Sequence, residues 1–247
     1  MRKLFCTDLD NTIICNQEPE HFGICVAEKN GKKSSFMNND TYNKFLAIVN
    51  KIKTLPVTTR CEKSYKNIYL SKFFKYALVD NGAILVCDDI NEKEEWINES
   101  RNIVKEDKEN FEKIRKIIEK YGYKEKWGSE FVLDYTNENI TYEEKENLKK
   151  EISQYINNLL INIGDTSFVC TFTKLSKGEN IKRFAEKYNY ELYIASGDNK
   201  EDESMFNLVP ISLGKKNALY NFETNNKLEF CDIIIDKIYK IIFNEKF

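Results

Sequence analysis

Two aspartates stand two residues apart in Asp8-Leu9-Asp10-Asn11-Thr12, directly after the short apolar run Leu4-Phe5-Cys6. On a loop leaving a buried strand, such a pair can divide two chemical roles. One carboxylate attacks as a nucleophile, and its neighbour passes a proton. Alone, the pair reads equally well as a turn or a helix cap. Matching pieces further along the chain raise it above that: Thr58 with Arg60, then Lys177-Gly178, then Gly197-Asp198 with Asp202. Lys177 falls in the first turn of a helix that Ser176 and Glu179 can cap, so its ammonium and the helix amides face the same anion. A cation at a helix start opposes the dipole and wants a reason. Lys174 is the poorer candidate, because it sits inside a strand pattern with no glycine after it.

These residue types suit phosphoryl transfer. A phosphoryl group under attack by a carboxylate carries dispersed negative charge, which a lysine, a hydroxyl and backbone amides neutralise. Mg²⁺ takes oxygen ligands and keeps several waters, so two carboxylates and a carbonyl suffice to hold it. Asp8 and Asp198 supply the carboxylates and Asp10 the carbonyl. The metal also reduces repulsion between Asp8 and an incoming phosphate dianion.

The elements that must position these groups follow from periodicity. A first strand ends at the aspartate loop. An inserted β-flap follows, with Ile24–Ala27 and Ser34–Met37 flanking the turn dipeptide Asn30-Gly31. Asn39 or Asp40 caps a helix whose apolar face is Tyr42, Phe45, Leu46, Val49 and Ile52. Leu55–Thr58 reads as a second strand; Tyr65, Ile68 and Tyr69 mark a helix; Tyr76–Val79 is a third strand that stops at Asn81-Gly82. Such alternation argues for a parallel sheet covered on both faces, with ligands at the carboxyl ends of its strands.

After about Val86 the texture changes, and residues 88–126 are dense in charge. Phe111, Ile114, Ile117, Ile118 and Tyr121 line a helix that stops at Gly122. Thr141 and Glu144 form a capping box opening a second helix, with the stripe Leu148, Ile152, Tyr155, Ile156 and Leu159. Phe131–Leu133 and Phe168–Phe172 read as strands. This is the plan of a compact α+β lid over residues 87–172, inserted into a core made of 1–86 and 173–247. In the returning half, Ile181, Phe184, Ala185 and Tyr188 mark a helix, and Leu192–Ala195 and Val209–Leu213 are strands. A C-terminal helix carries Ile234, Ile238 and Ile241.

Composition excludes several classes. A hydrophobic fraction of 41% and an aromatic fraction of 13% allow a sizeable core. Thirty-eight basic against forty acidic residues, a formal charge of −2, give no basic field for nucleic acid. The seven cysteines are scattered, without a CxxC pair, which suits reduced thiols better than disulfides or zinc. His21, the single histidine, has no catalytic work to do in this chemistry. No apolar stretch reaches membrane-spanning length, and no secretory segment precedes the first aspartates, so the expectation is a cytoplasmic protein without a membrane partner.

Together, Asp8-Leu9-Asp10-Asn11-Thr12, Thr58, Lys177-Gly178 and Gly197-Asp198 with Asp202 resemble the four motifs of the haloacid-dehalogenase superfamily of phosphohydrolases. Asn81-Gly82-Ala83, followed by an inserted lid, resembles the Cof-type and sucrose-phosphate-phosphatase-like subgroup with a C2-type cap. The resemblance implies a doubly wound α/β core and a Mg²⁺-dependent phosphatase acting on a small phosphorylated metabolite such as a sugar phosphate. It implies Asp8 as the nucleophile that becomes an aspartyl-phosphate, and Asp10 as acid then base. Thr58, Lys177 and Asn11 are implied to hold the phosphoryl oxygens, with Asp8, Asp10, Asp198 and Asp202 around the metal. Two departures stand out: Thr59 replaces the usual glycine before Arg60, and Glu201 replaces the usual asparagine before Asp202. A phosphomutase on the same core, or a binding protein that kept the site, are the alternative readings.

Overall fold

The computed structural model describes residues 2–19, 23–29, 31–224 and 226–244, without the Trp127 side chain. His21 and Asn30, to which expectations were attached, lie outside these residues. In chain order the elements are β1 (Arg2–Thr7), β2 (Gly23–Lys29), β3 (Lys32–Asn38), α1 (Asn39–Lys51), β4 (Lys53–Pro56), α2 (Glu62–Tyr65), β5 (Ala77–Val79) and β6 (Ile84–Val86). Then come α3 (Ile90–Ile103), α4 (Lys108–Lys120), β7 (Lys124–Gly128), β8 (Val132–Thr136), α5 (Tyr142–Ile152), β9 (Leu159–Ile163) and β10 (Ser167–Phe172). The chain closes with α6 (Lys177–Tyr188), β11 (Tyr190–Ser196), α7 (Glu203–Phe206), β12 (Ile211–Gly214), β13 (Tyr220–Asn221) and α8 (Lys227–Asn244).

The central sheet runs β13-β12-β11-β1-β4, all parallel. β1 occupies a middle position and is buried on both faces, as its apolar run Leu4-Phe5-Cys6 requires. One hydrophobic cluster gathers Phe5, Phe45, Ile48, Ile234 and Ile238 on the side covered by α1 and α8; another gathers Leu4, Leu55, Ile181, Phe184 and Ala195 under α6. This is the doubly wound α/β core expected from the sequence. The β-flap is present as the antiparallel pair β2–β3.

A second, antiparallel sheet runs β7-β8-β10-β9. Leu133, Tyr135, Phe168, Cys170 and Phe172 pack with Phe111, Ile114 and Ile118 of α4 and Leu148 and Ile152 of α5 in a cluster of their own. The inserted α+β unit is therefore as expected in class. The α5 capping box is there: Thr141 Oγ1 accepts the Glu144 N–H at 3.2 Å, and the Glu144 carboxylate accepts the Thr141 N–H at 2.8 Å.

Several local expectations need correction. The N-cap of α1 is Asn38, and its side chain donates to Asp232 on α8 rather than capping. Tyr65, Ile68 and Tyr69 do not share a helix. α2 is one turn, Ile68 bridges to Ala27 of the flap, and a 3-10 turn begins at Tyr69. β5 forms a hairpin with β6 and, among the described residues, meets the parallel sheet through the Val57–Leu78 bridge. α5 ends at Ile152, and Leu159 opens β9 after a turn at Asn158 (φ 59°). Helix α3 and strands β7 and β9 were not anticipated.

Candidate active site

Asp8 follows β1 directly, and its N–H donates to the Ser196 carbonyl at 2.9 Å, which aligns the ends of β1 and β11. Asn11 holds the following turn with a left-handed φ of 58°, which asparagine tolerates. The turn returns Thr12 so that its Oγ1 donates to Asp8 Oδ2 at 3.2 Å. On the opposite wall Ser176 caps α6 by accepting the Glu179 N–H at 3.3 Å. From that first turn, Lys177 extends between two carboxylates, with Nζ 2.6 Å from Asp8 Oδ1 and 2.6 Å from Asp202 Oδ1. Asp8, Lys177 and Asp202 are all buried. Lys174, the rival lysine, pairs instead with Asp107 at 3.1 Å.

Asp202 is fully buried and uses its second oxygen as well. Oδ2 accepts the backbone amides of Asp198 at 3.0 Å and Asn199 at 2.9 Å, which folds the loop after β11 around it. Only glycine fits at position 197, since a Cβ there would lie 2.2 Å from Asp202 Cβ. Asp198 is thereby brought to the cluster, where Lys215 donates to its Oδ2 at 3.3 Å. Asp8, Asp198 and Asp202 each offer an oxygen, all within 4.8 Å of one another. An oxygen-only set of this kind suits a hard divalent cation.

The electrostatics follow from this packing. Burial pushes the Asp8 pKa well up; Lys177 pulls it back, while Asp202, Asp198 and Asp10 add to the rise. Burial also works against the Lys177 charge, but Asp202 and Asp8 outweigh it and hold the ammonium protonated. Burial raises the Asp198 pKa as well, reinforced by Asp202 and opposed by Lys215. A second cation among these carboxylates would favour their ionised forms.

Asp10 has a different partner. Its carboxylate receives a bidentate fork from Arg60, with Nε to Oδ2 and Nη2 to Oδ1 both at 2.6 Å. Of the four acids expected around a metal, three share the cluster, and the carboxylate of the fourth is committed to Arg60. Thr58 is buried at the end of β4's extension, and its Oγ1 accepts the Arg60 N–H at 3.2 Å, which leaves the hydroxyl proton free to donate. Thr59, in place of glycine, does not take a positive φ, so its side chain is accommodated without backbone strain.

Two contributors were not singled out from sequence: Lys215 and the Arg60–Asp10 fork. Lys215 directly follows β12, and its place at a strand's carboxyl end was an available signal. Burial raises the Glu201 pKa, with Lys177 opposing it. In the lid, Tyr135 is core, with its hydroxyl on Glu119 at 3.1 Å, whereas Lys126 and Asp134 line a cleft. That cleft, about 410 Å³, also takes in Asp10, Arg60, Ser64 and Glu28, and all its lining side chains are polar.

A parallel-sheet core with an inserted α+β unit, and acids and a lysine at the strand ends, defines a fold class that solved structures of haloacid-dehalogenase type share. A sucrose-phosphatase from Synechocystis, in complex with sucrose and phosphate, superposes with a TM-score of 0.62 at 13% identity, covering 96% of this chain and 99% of that one. Trehalose-6-phosphate phosphatase from Aspergillus fumigatus gives 0.53 at 13% identity, over 97% and 93%. A haloacid dehalogenase-like hydrolase protein from Bacillus subtilis gives 0.54 at 17% identity, over 99% and 92%. At these identities the likeness is one of fold. No protein-family model matches the chain, and no curated protein matches it in sequence.

Proposed function

We propose that the protein is a phosphatase of small phosphorylated metabolites that works through an aspartyl-phosphate on Asp8. The observation that carries this reading is Lys177 buried between Asp8 and Asp202, with Asp198 beside them. In the proposed cycle, Asp8 attacks phosphorus and the bond from phosphorus to the leaving oxygen breaks. Asp10 gives that oxygen a proton, then takes one from the water that attacks phosphorus and frees Asp8. To act as an acid, Asp10 must first take up a proton and release part of the Arg60 fork. The Thr58 hydroxyl, Asn11 and the Lys177 ammonium hold the phosphoryl oxygens.

Mg²⁺ fits the oxygen donors of Asp8 and Asp198, with Asp202 beside them and the Asp10 carbonyl as a further ligand, and when bound it neutralises charge on the phosphoryl group. Residues 1–86 and 173–247 act as the catalytic core and 87–172 as a cap that closes over the cleft. The polar cleft lining favours a hydroxyl-rich leaving group, such as a sugar, over an acyl or aromatic one.

The test is phosphate release across sugar phosphates, nucleotides and cofactor phosphates, with Mg²⁺ and with EDTA. The expected result is Mg²⁺-dependent release from sugar phosphates, abolished in Asp8→Asn. No release from any compound by the parent protein, or unchanged release by Asp8→Asn, would overturn the reading.

A further inference from the structure

With a lid inserted in the core, as proposed, the chain crosses between them twice, and one buried carboxylate touches both crossings. Helix α3 opens the lid's stretch of sequence but is tied to the core. Its Trp96 Nε1 and Ser100 Oγ donate to the Gly82 and Ala83 carbonyls at 2.9 and 2.7 Å, and Arg183 of α6 donates to Ser100 Oγ at 2.9 Å. The outward crossing therefore falls at the junction between α3 and α4, where the Asp107 N–H donates to the Val104 carbonyl at 3.0 Å. Val104 already packs in the lid's hydrophobic cluster. The return crossing is the 3-10 turn Thr173–Leu175, directly after β10.

Asp107 is the N-cap residue of α4, and an aspartate there ordinarily turns its side chain onto the next amides. Among the described residues it makes no such bond. Instead its buried carboxylate accepts two side chains from elsewhere: Asn158 Nδ2 at 2.8 Å on Oδ1, and Lys174 Nζ at 3.1 Å on Oδ2. Lys174 belongs to the return crossing, so a single ion pair joins the two crossings. Asn158 is the lid's contribution. It holds a left-handed turn before β9 (φ 59°), and its carbonyl accepts the Thr173 N–H at 2.8 Å. Lid turn, outward crossing and return crossing thus meet around Asp107. Just beyond Lys174, the Leu175 carbonyl accepts Asn180 Nδ2 at 3.0 Å, and Ser176 caps the helix whose first residue is Lys177.

We propose that Asp107 is a positioning residue that binds the two crossings into a single hinge, so that the lid turns as one unit about residues 104–107 and 173–175 while α3 stays with the core. Hinges of this kind are a few element-terminal residues that absorb the motion of everything beyond them. Two separate tethers would let a lid slide and twist as well as swing; joined at one carboxylate, they act as one pivot. Lys174, which the phosphate chemistry leaves unused, thereby has a task. The pivot also lies beside the turn that opens the helix of Lys177, so lid closure is referred to the phosphate-holding lysine. That closure serves catalysis rests on the phosphatase reading; the hinge itself does not.

Hydrogen exchange on the full-length protein without substrate tests the hinge. Lys174→Met removes the ion pair and leaves the neighbouring bonds in place. Exchange at the Asp107, Thr173 and Ser176 amides should rise together, by roughly tenfold or more, because a hydrogen bond between charged groups is lost. Strands β1 and β11 should keep the parent's protection. Asp107→Asn should act alike, and the double variant should exchange no faster than the more affected single one, since both changes remove one interaction. Effects that add in the double variant, or a rise at one crossing alone, would overturn the hinge. Kinetics supply the second readout. Lys174→Met should raise KM for a sugar phosphate, which the lid must enclose, and leave kcat/KM for an activated aryl phosphate unchanged. An equal effect on both substrates, or none, would overturn the positioning role. A parent that releases no phosphate from any compound would instead defeat the phosphatase reading, with the hinge decided by exchange.

Discussion

Lys177 divides its charge between Asp8 and Asp202, and both acids depend on it. Removing one partner of a buried ion pair leaves the others uncompensated, at a cost of about 3–5 kcal/mol. Lys177→Met should therefore lower unfolding stability by about that amount, as well as turnover. The loss should be smaller at acid pH. Without the lysine, burial raises the Asp8 carboxyl pKa further, so the folded state binds a proton that the unfolded state has lost, and stability falls as pH rises. Urea unfolding of parent and variant at acid and alkaline pH measures this, and an equal loss at both would contradict it. At this scale most of the site was legible. Asp8, Lys177, Asp198 and Asp202 come together as their order along the chain implied, because strand ends of a parallel sheet converge. The Arg60 fork on Asp10 was not legible, since nothing in the residue types of positions 10 and 60 dictates which of several nearby acids a guanidinium will choose.

Among the elements, those with a strong apolar period or a local hydrogen-bonding signature were readable. α6 has Ile181, Phe184 and Ala185 on one buried face, and α5 announces itself by its capping box. α3 escaped notice because its buried set is only Trp96, Ile97 and Ser100 among many charges, too narrow a stripe to stand out. β7 and β9 are lid edges, where one face is solvated and alternation is weak; Leu159–Ile163 buries Leu159 and exposes Leu160. The error at Leu159 has the same origin: a helical stripe was extended through Tyr155 and Ile156, although the chain turns at Asn158. The α1 cap was misplaced because Asn38 was claimed by a tertiary partner, Asp232, that no local pattern can show.

At the scale of the whole molecule, the proposed cap has its own hydrophobic cluster, but α3 divides its loyalty. Trp96 belongs with the core cluster, and the Arg183 guanidinium stacks over its ring at 3.6 Å. α3 also packs against the turn at Thr173–Leu175, where the chain re-enters the core. A deletion that keeps α3 and replaces residues 105–171 with a short flexible linker should therefore fold. It should retain Mg²⁺ binding and slow hydrolysis of an activated aryl phosphate, while losing discrimination among sugar phosphates. Circular dichroism with a substrate panel checks this. A variant that keeps the parent's substrate ranking would refute a selective cap, and one that cannot fold with any linker would refute the separation itself.

The central claim is that Asp8 carries the phosphoryl group, and transfer of label to that residue tests it most directly. Asp10→Asn should slow release of the group by roughly 10²–10⁴-fold, because the proton transfers are crippled while the nucleophile remains. Acid quench of this variant during turnover of a phosphorus-labelled sugar phosphate, followed by peptide mapping, should find label on the peptide containing Asp8, stable to acid and released by hydroxylamine. Phosphate released with no label on that peptide, or label carried by another residue, would contradict the account.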